Sequence, residues 1–206
     1  MTRRSEKTRE AIKDSLLSLL ASWELNDITM AELARNANIS RSSLYAHYRN
    51  VREVFDDNVI DFCSGLRPLT AQLRCGACDE GNTSFAPVDN GDSIEGDRDS
   101  SDRRWKDLPF CIALRDAGKF APLVKDGNFL PSFLDLIDSQ VFDVNDGYPL
   151  SEDLDVRKKR ALLKFQMSGC YAVAMDDNSD GDWPEIQQLL DAYIRAGSSE
   201  ARNMRF

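Results

Sequence analysis

Residues 28–48 read ITMAELARNANISRSSLYAHY, and this stretch predicts two short helices joined by a turn. Thr29 and Glu32 have the spacing of a capping box, in which the hydroxyl and the carboxylate satisfy backbone N–H groups at a helix start. Asn38 is a residue type that tolerates a left-handed backbone, so it suits the turn. Ser40 can then cap a second helix, from residue 41 to about residue 48, with Leu44 on its buried side.

Helical periodicity extends from this stretch in both directions. Upstream, apolar side chains at helical spacing predict an amphipathic helix with the stripe Ile12, Leu16, Leu19, Leu20 and Trp23. Downstream, Asn50 can cap a helix whose apolar stripe is Val51, Val54, Phe55, Phe62 and Leu66. Further helical patterns occupy 105–117, 129–142, 151–175 and 184–196. Because strand patterns are nearly absent, the sequence predicts an all-α fold.

The last two patterns also predict which side chains face inward. In 151–175 the predicted inner positions are Leu162, Phe165, Gly169 and Val173. In 184–196 they are Ile186, Leu189, Leu190 and Tyr193. Between the early and late helices, the segment 79–102 holds eight acidic residues and one arginine. A segment this polar buries too little apolar surface to offset its ordering entropy, so we expect a disordered loop.

Charge is distributed unevenly along the chain, whose net charge is −9. Residues 1–55 hold nine Lys/Arg against seven Asp/Glu, or +2, whereas residues 56–206 hold seventeen against twenty-eight, or −11. This distribution excludes a uniformly basic protein that coats nucleic acid, and it suits a protein that presents one face to phosphates. An odd number of cysteines and the lack of a long apolar run predict a cytoplasmic protein.

The helix predicted from residue 41 exposes side chains that suit contact with DNA. Arginine can donate two hydrogen bonds to guanine, and serine and tyrosine hydroxyls suit phosphates or base edges. The outer positions and the residues at the helix end are Arg41, Ser42, Ser43, Tyr45, Ala46, His47, Tyr48 and Arg49. Two short helices joined by a turn, of which the second exposes side chains of this kind, predict a helix-turn-helix. This motif places its second, recognition helix in the major groove.

Residues 28–34, 37–40 and 43–48 together resemble the DNA-binding domain of the tetracycline-repressor family, over about residues 8–60. The resemblance implies DNA contacts at Thr29, Arg41, Ser42, Ser43, Tyr45 and His47, the last two toward phosphates. Tyr48 and Arg52 are further candidate contacts at the ends of the adjoining helices. Two positions depart from the family pattern, because Asn38 replaces the usual turn glycine and Val51 replaces a lysine.

The same resemblance implies a DNA-binding domain over 1–50 and a helical effector-binding and dimerisation domain over 51–206. It implies a homodimer formed through 151–175 and 184–196, and a small-molecule effector that releases a repressor from a palindromic duplex operator. The candidate effector-pocket side chains are Phe62, Trp105, Phe110, Phe133 and Phe165. Taken individually, each of these aromatic rings suits a hydrophobic core better than a pocket.

Two alternatives remain open from the sequence. Cys75 and Cys78 have the spacing of a thiol or metal sensor, although no second pair and no nearby histidine completes a zinc set. The other alternative is a helical dimer that acts as a protein-interaction module, which Val51 at the expected lysine position favours. We expect neither an enzyme nor a cofactor, because the chain has one histidine and no nucleophile or phosphate-loop motif.

Overall fold

The computed structural model describes residues 3–64, 110–139, 155–176 and 181–203. Every regular element in these ranges is helical, which confirms the predicted all-α fold. The helices are α1 (Arg3–Leu20), α2 (Met30–Asn36), α3 (Arg41–Tyr45), α4 (Val51–Ser64), α5 (Phe110–Arg115), α6 (Ala121–Lys125), α7 (Phe129–Asp138), α8 (Val156–Ala174) and α9 (Trp183–Asn203). Short 3₁₀ turns span Leu25–Asp27 and Gly118–Phe120.

These helices group into two compact units. The first unit contains α1 to α4 together with α6 and α7, and the second contains α5, α8 and α9. The predicted boundary at residue 50 stays a prediction, and the acidic segment 79–102 lies outside the described residues. Within the described ranges, none of the helices combines the length and the apolar composition of a membrane-spanning segment.

In the first unit, α1 packs against α2 and α4, and α4 packs against α7. The apolar stripe of α1 explains this arrangement, because Ile12 and Leu16 are fully buried. Val54 and Phe55 on α4 are buried to the same extent. Trp23 does not continue the stripe of α1, since the helix ends at Leu20 and the indole is 52% exposed.

Residues 116–139 join the first unit through an aromatic cluster and one buried carboxylate. The ring of Phe62 on α4 meets those of Phe120 and Phe129 edge-on, with ring centroids 5.7 Å apart in both pairs. The buried Asp126 accepts a hydrogen bond from the backbone N–H of Leu25 at 2.9 Å and from that of Asn128 at 2.8 Å. Breaking the Leu25 bond would leave a buried donor unpaired, so this bond holds the turn between α6 and α7 against the amino-terminal helices.

The second unit corrects the predicted inner face of α8. The buried side chains are Leu163, Met167, Cys170 and Ala174, and α5 packs against α8. The predicted inner positions Leu162 and Phe165 are instead 37% and 72% exposed, Gly169 is also exposed, and Val173 is half-buried. Apolar residues lie on two sides of α8, and periodicity alone cannot tell which side receives α5.

A similar correction applies to α9. Leu189 and Tyr193 are 70% and 68% exposed, whereas Ile186 and Leu190 are half-buried as predicted. Arg115 at the end of α5 ties this unit together: its guanidinium carbon lies 4.3 Å from the centroid of the Trp183 ring. The Arg115 Nη1 also donates a hydrogen bond to the Ala174 carbonyl at 3.3 Å. Among the described residues of the second unit, α8 is packed on the side that faces α5, and both α8 and α9 carry exposed apolar side chains.

Candidate nucleic-acid interface

The start of α2 has the predicted capping box. The Glu32 N–H donates to Thr29 Oγ1 at 3.2 Å, and the Thr29 N–H donates to Glu32 Oε2 at 2.9 Å. The Thr29 hydroxyl also donates to Glu32 Oε2 at 2.7 Å, and these bonds hold the pKa of the Glu32 carboxyl below its usual value. The Thr29 hydroxyl is thus engaged in the cap of α2.

The turn between α2 and α3 follows the sequence prediction closely. Asn38 has a φ of 52°, the left-handed conformation expected there. Ser40 accepts a hydrogen bond from the Ser43 N–H at 3.1 Å and caps α3. The helix ends at Tyr45, earlier than predicted, in a turn where the N–H groups of both His47 and Tyr48 donate to the Leu44 carbonyl.

One side of α3 is anchored in the core and the other faces solvent. Leu44 is fully buried and Tyr48, just after the helix, is 4% exposed. Arg41 and Ser42 are exposed, Tyr45 is 56% exposed, and Ser43 and His47 are half-buried. The exposed face therefore combines a guanidinium with hydroxyl groups, which can donate hydrogen bonds to base edges or phosphates.

Arg49, which the sequence places at the end of the predicted recognition helix, is a surface cation between α3 and α4. Its side chain is 89% exposed, and its Nε donates to Glu53 Oε1 at 2.6 Å. The Arg49 backbone N–H donates to Glu53 Oε2, and this bond contributes most to lowering the pKa of the Glu53 carboxyl. Asn50 accepts the Glu53 N–H at 2.9 Å, as its predicted capping role requires. In the sequence, Arg49 directly follows the predicted recognition helix, and this position indicates a surface cation.

Two side chains that were predicted to contact DNA instead form hydrogen bonds within the protein. Arg52 donates through Nε to Asp56 on α4 at 3.0 Å and through Nη1 to Asn128, the residue before α7, at 3.4 Å, so its guanidinium is held by both. Tyr48 is buried, with its hydroxyl donating to Asp57 Oδ2 at 2.5 Å. We therefore leave Arg52 and Tyr48 out of the proposed contact surface.

Arg9 and Asp57 complete a network around Tyr48 that sequence reasoning missed. Arg9 Nη2 donates to Asp57 Oδ2 at 2.8 Å, and Arg9 Nε donates to the Tyr48 hydroxyl at 3.3 Å. Hydrogen bonding to Tyr48 and Asp57 raises the pKa of Arg9, and burial raises the pKa of Tyr48. The sequence does hold a signal for these ion pairs. Two cations on α1, Arg9 and Lys13, are four residues apart, and so are two carboxylates on α4, Asp57 and Asp61.

The candidate effector-pocket residues fall in different places. Phe62 and Phe133 are buried in the first unit, where the Phe133 ring stacks on that of Phe129 with centroids 6.1 Å apart. Phe110 is buried in the second unit, Phe165 is 72% exposed, and Trp105 lies outside the described residues. An open cleft of about 310 Å³ in the first unit is lined by Leu19, Trp23, Ile28, Glu32, Arg35 and Asn36, and none of the candidate pocket residues lines it.

Thiols in the described ranges are buried. Cys63, Cys111 and Cys170 are buried and form no disulfide with another described residue, and burial raises the pKa of Cys63. Burial, with a smaller contribution from Cys111, raises the pKa of Cys170 to about 12. Cys63 and Cys170 are therefore poor sources of reactive thiolate near neutral pH. Cys75 and Cys78 lie outside the described residues.

Comparison with known proteins gives one short similarity. No protein-family model and no solved structure matches the chain significantly. The chain is 36% identical over 61 residues to an uncharacterised HTH-type transcriptional regulator, YxbF, of Bacillus subtilis. The similar segment covers 30% of this chain and only 16% of that protein. The similarity thus concerns one segment and does not extend to the remainder of either protein.

Proposed function

We propose that this protein is a sequence-specific DNA-binding transcriptional regulator, with α2 and α3 acting as a helix-turn-helix. The exposed donor-bearing face of α3, on a helix whose opposite face is anchored by Leu44, carries this proposal. The similarity to a protein named as an HTH-type transcriptional regulator supports it. So does the resemblance of residues 8–60 to the tetracycline-repressor family.

In this proposal α3 enters the major groove and each exposed side chain has a distinct role. Arg41, in the first turn of α3, reads a guanine through two hydrogen bonds. Ser42 and Tyr45 offer hydroxyls to neighbouring bases or phosphates, and His47 donates to a phosphate from the helix end. Arg49 adds positive charge near the phosphates. On binding, its guanidinium leaves Glu53 and pairs with a DNA phosphate.

We further propose that the protein acts as a homodimer through α8 and α9. Both helices expose apolar side chains, with Leu162 and Phe165 on α8 and Leu189 and Tyr193 on α9. Gly169 lies on the exposed side of α8, and among the described residues nothing beyond its chain neighbours and the adjacent turns of the helix backbone lies within 4 Å of where its Cβ would be. A second helix could therefore approach α8 closely at this position. A dimer formed in this way presents two helix-turn-helix segments, which suit the two half-sites of a near-palindromic operator.

The resemblance also supports repression relieved by a small-molecule effector that binds within residues 51–206. Such an effector releases DNA only through a higher affinity for the state that cannot bind the operator. The protein would then act in the cytoplasm as a non-catalytic switch.

Replacing Arg41 with alanine is expected to weaken operator binding by about 1–3 kcal/mol and to relax the preference at one base pair. The physical reason is the loss of a bidentate guanine contact, and the measurement is binding to an operator series with each base pair varied in turn. Lys125→Ala is the matched control, because it removes an exposed cation from α6 and leaves α3 unchanged.

The control variant is expected to bind the operator as the natural protein does. An equal loss of affinity of Arg41→Ala for every duplex would make Arg41 a phosphate contact. Unchanged affinity for all duplexes would remove α3 from the interface and contradict the proposed function.

A further inference from the structure

The recognition helix α3 cannot hold its own orientation. It has five residues, and an isolated helix of that length is unstable because nucleation costs more than one turn of hydrogen bonds returns. Its direction is therefore set by its anchors, which are the buried Leu44 within the helix and the buried Tyr48 after it. Leu44 fixes the depth of the helix in the core, while Tyr48 fixes its carboxyl end.

Tyr48 is held from two sides at once. Its hydroxyl donates to Asp57 on α4 at 2.5 Å and accepts from Arg9 Nε on α1 at 3.3 Å. Arg9 also donates to the same Asp57 oxygen at 2.8 Å, which closes the network. The Arg9 guanidinium carbon lies 5.5 Å from the centroid of the Tyr48 ring, so the cation contacts the aromatic face as well.

We propose that Arg9 and Asp57 are positioning residues for DNA recognition, which act through the Tyr48 hydroxyl to fix the angle of α3 against α1 and α4. The inference rests on the proposed function and concerns residues that do not themselves contact DNA. A network that is fully hydrogen-bonded and partly buried has one low-energy geometry, and a hydroxyl held by two groups cannot rotate freely. Loss of the hydroxyl frees the end of α3 while the ring remains packed.

A second ion pair provides the control that separates positioning from general stability. Lys13 and Asp61 form an ion pair one helical turn further along the same two helices. This pair joins α1 directly to α4 through Lys13 Nζ and Asp61 Oδ2. Removing it should affect the packing of α1 on α4 and leave the end of α3 in place.

The experiment compares Tyr48→Phe, Asp57→Asn and Asp61→Asn in the full-length protein. For each, the affinity for the selected operator and for a scrambled duplex of equal length is measured, with urea unfolding of the same samples. We expect Tyr48→Phe and Asp57→Asn to lower operator affinity by about five- to tenfold, the usual worth of one buried hydrogen bond. Binding to the scrambled duplex should stay within about twofold, because phosphate attraction does not need the exact helix angle.

Asp61→Asn is expected to keep the ratio of operator to scrambled affinity, whatever it does to the unfolding midpoint. The positioning role would be overturned if Tyr48→Phe kept the natural protein's ratio of operator affinity to scrambled-duplex affinity. It would also be overturned if Asp61→Asn lowered that ratio as much as Tyr48→Phe does. If Asp57→Asn does not fold, Tyr48→Phe alone decides, since it retains the packed ring. A natural protein that prefers no operator would overturn the proposed function itself, and this inference with it.

Discussion

Replacing both Phe165 and Leu189 with glutamate is expected to convert the protein from dimer to monomer and to lower operator affinity by about a hundredfold or more. Phe165 on α8 is 72% exposed and Leu189 on α9 is 70% exposed. Two carboxylates placed in an apolar contact between copies would each lose hydration without gaining a partner. Each monomer then binds a half-site alone. It loses the high effective concentration that a dimer gives to the helix-turn-helix of its second copy.

The double variant should still fold, because both side chains are mostly exposed. Gln188→Glu is the matched control, since it adds a carboxylate at an exposed polar position on α9. Sedimentation equilibrium at micromolar concentration measures the mass, and duplex binding measures the affinity. A natural protein that sediments as a monomer would contradict the proposed dimer, and a double variant that remains dimeric would place the contact elsewhere.

Replacing Phe129 with alanine is expected to lower the free energy of unfolding by about 3–5 kcal/mol. Phe129 is fully buried, meets the Phe62 ring edge-on at 5.7 Å, and stacks parallel to Phe133 at 6.1 Å. Alanine would leave a cavity among aromatic rings that cannot collapse without moving α7 away from α4. Urea unfolding followed by circular dichroism measures the change.

Phe120→Ala is the control for that experiment. Its ring also meets Phe62 at 5.7 Å but is half-buried, so its removal should cost only about 1–2 kcal/mol. A loss in Phe129→Ala no larger than that in Phe120→Ala would show that residues 116–139 do not complete the core of the first unit.

The parts of the fold that the sequence predicted well are local. The capping box of Thr29 and Glu32, the left-handed Asn38 and the Ser40 cap each depend on residues within four positions of one another. Local chemistry of this kind is nearly independent of tertiary packing, so it can be read directly from residue types at fixed spacing. The buried Leu44 followed from the same spacing.

The parts that sequence reasoning missed depend on distant partners. The inner face of α8 is set by α5, more than forty positions earlier, and the Phe165 side was chosen in error because both faces hold apolar residues. Tyr48 was predicted to face DNA, yet its hydroxyl is held by Arg9 and Asp57 across other helices. A tyrosine and an arginine suit either DNA contact or an internal network, and only the packed structure distinguishes the two.

The most direct test of the central claim is selection of binding sites from random duplex DNA by the purified full-length protein at near-physiological salt. We expect recovery of a near-palindrome whose half-sites are about one helical turn or more apart, each read by one α3. Affinity for the recovered sequence should exceed affinity for a scrambled duplex by at least about a thousandfold. Recovery of no motif, with only weak and salt-sensitive binding, would contradict sequence-specific recognition by this protein.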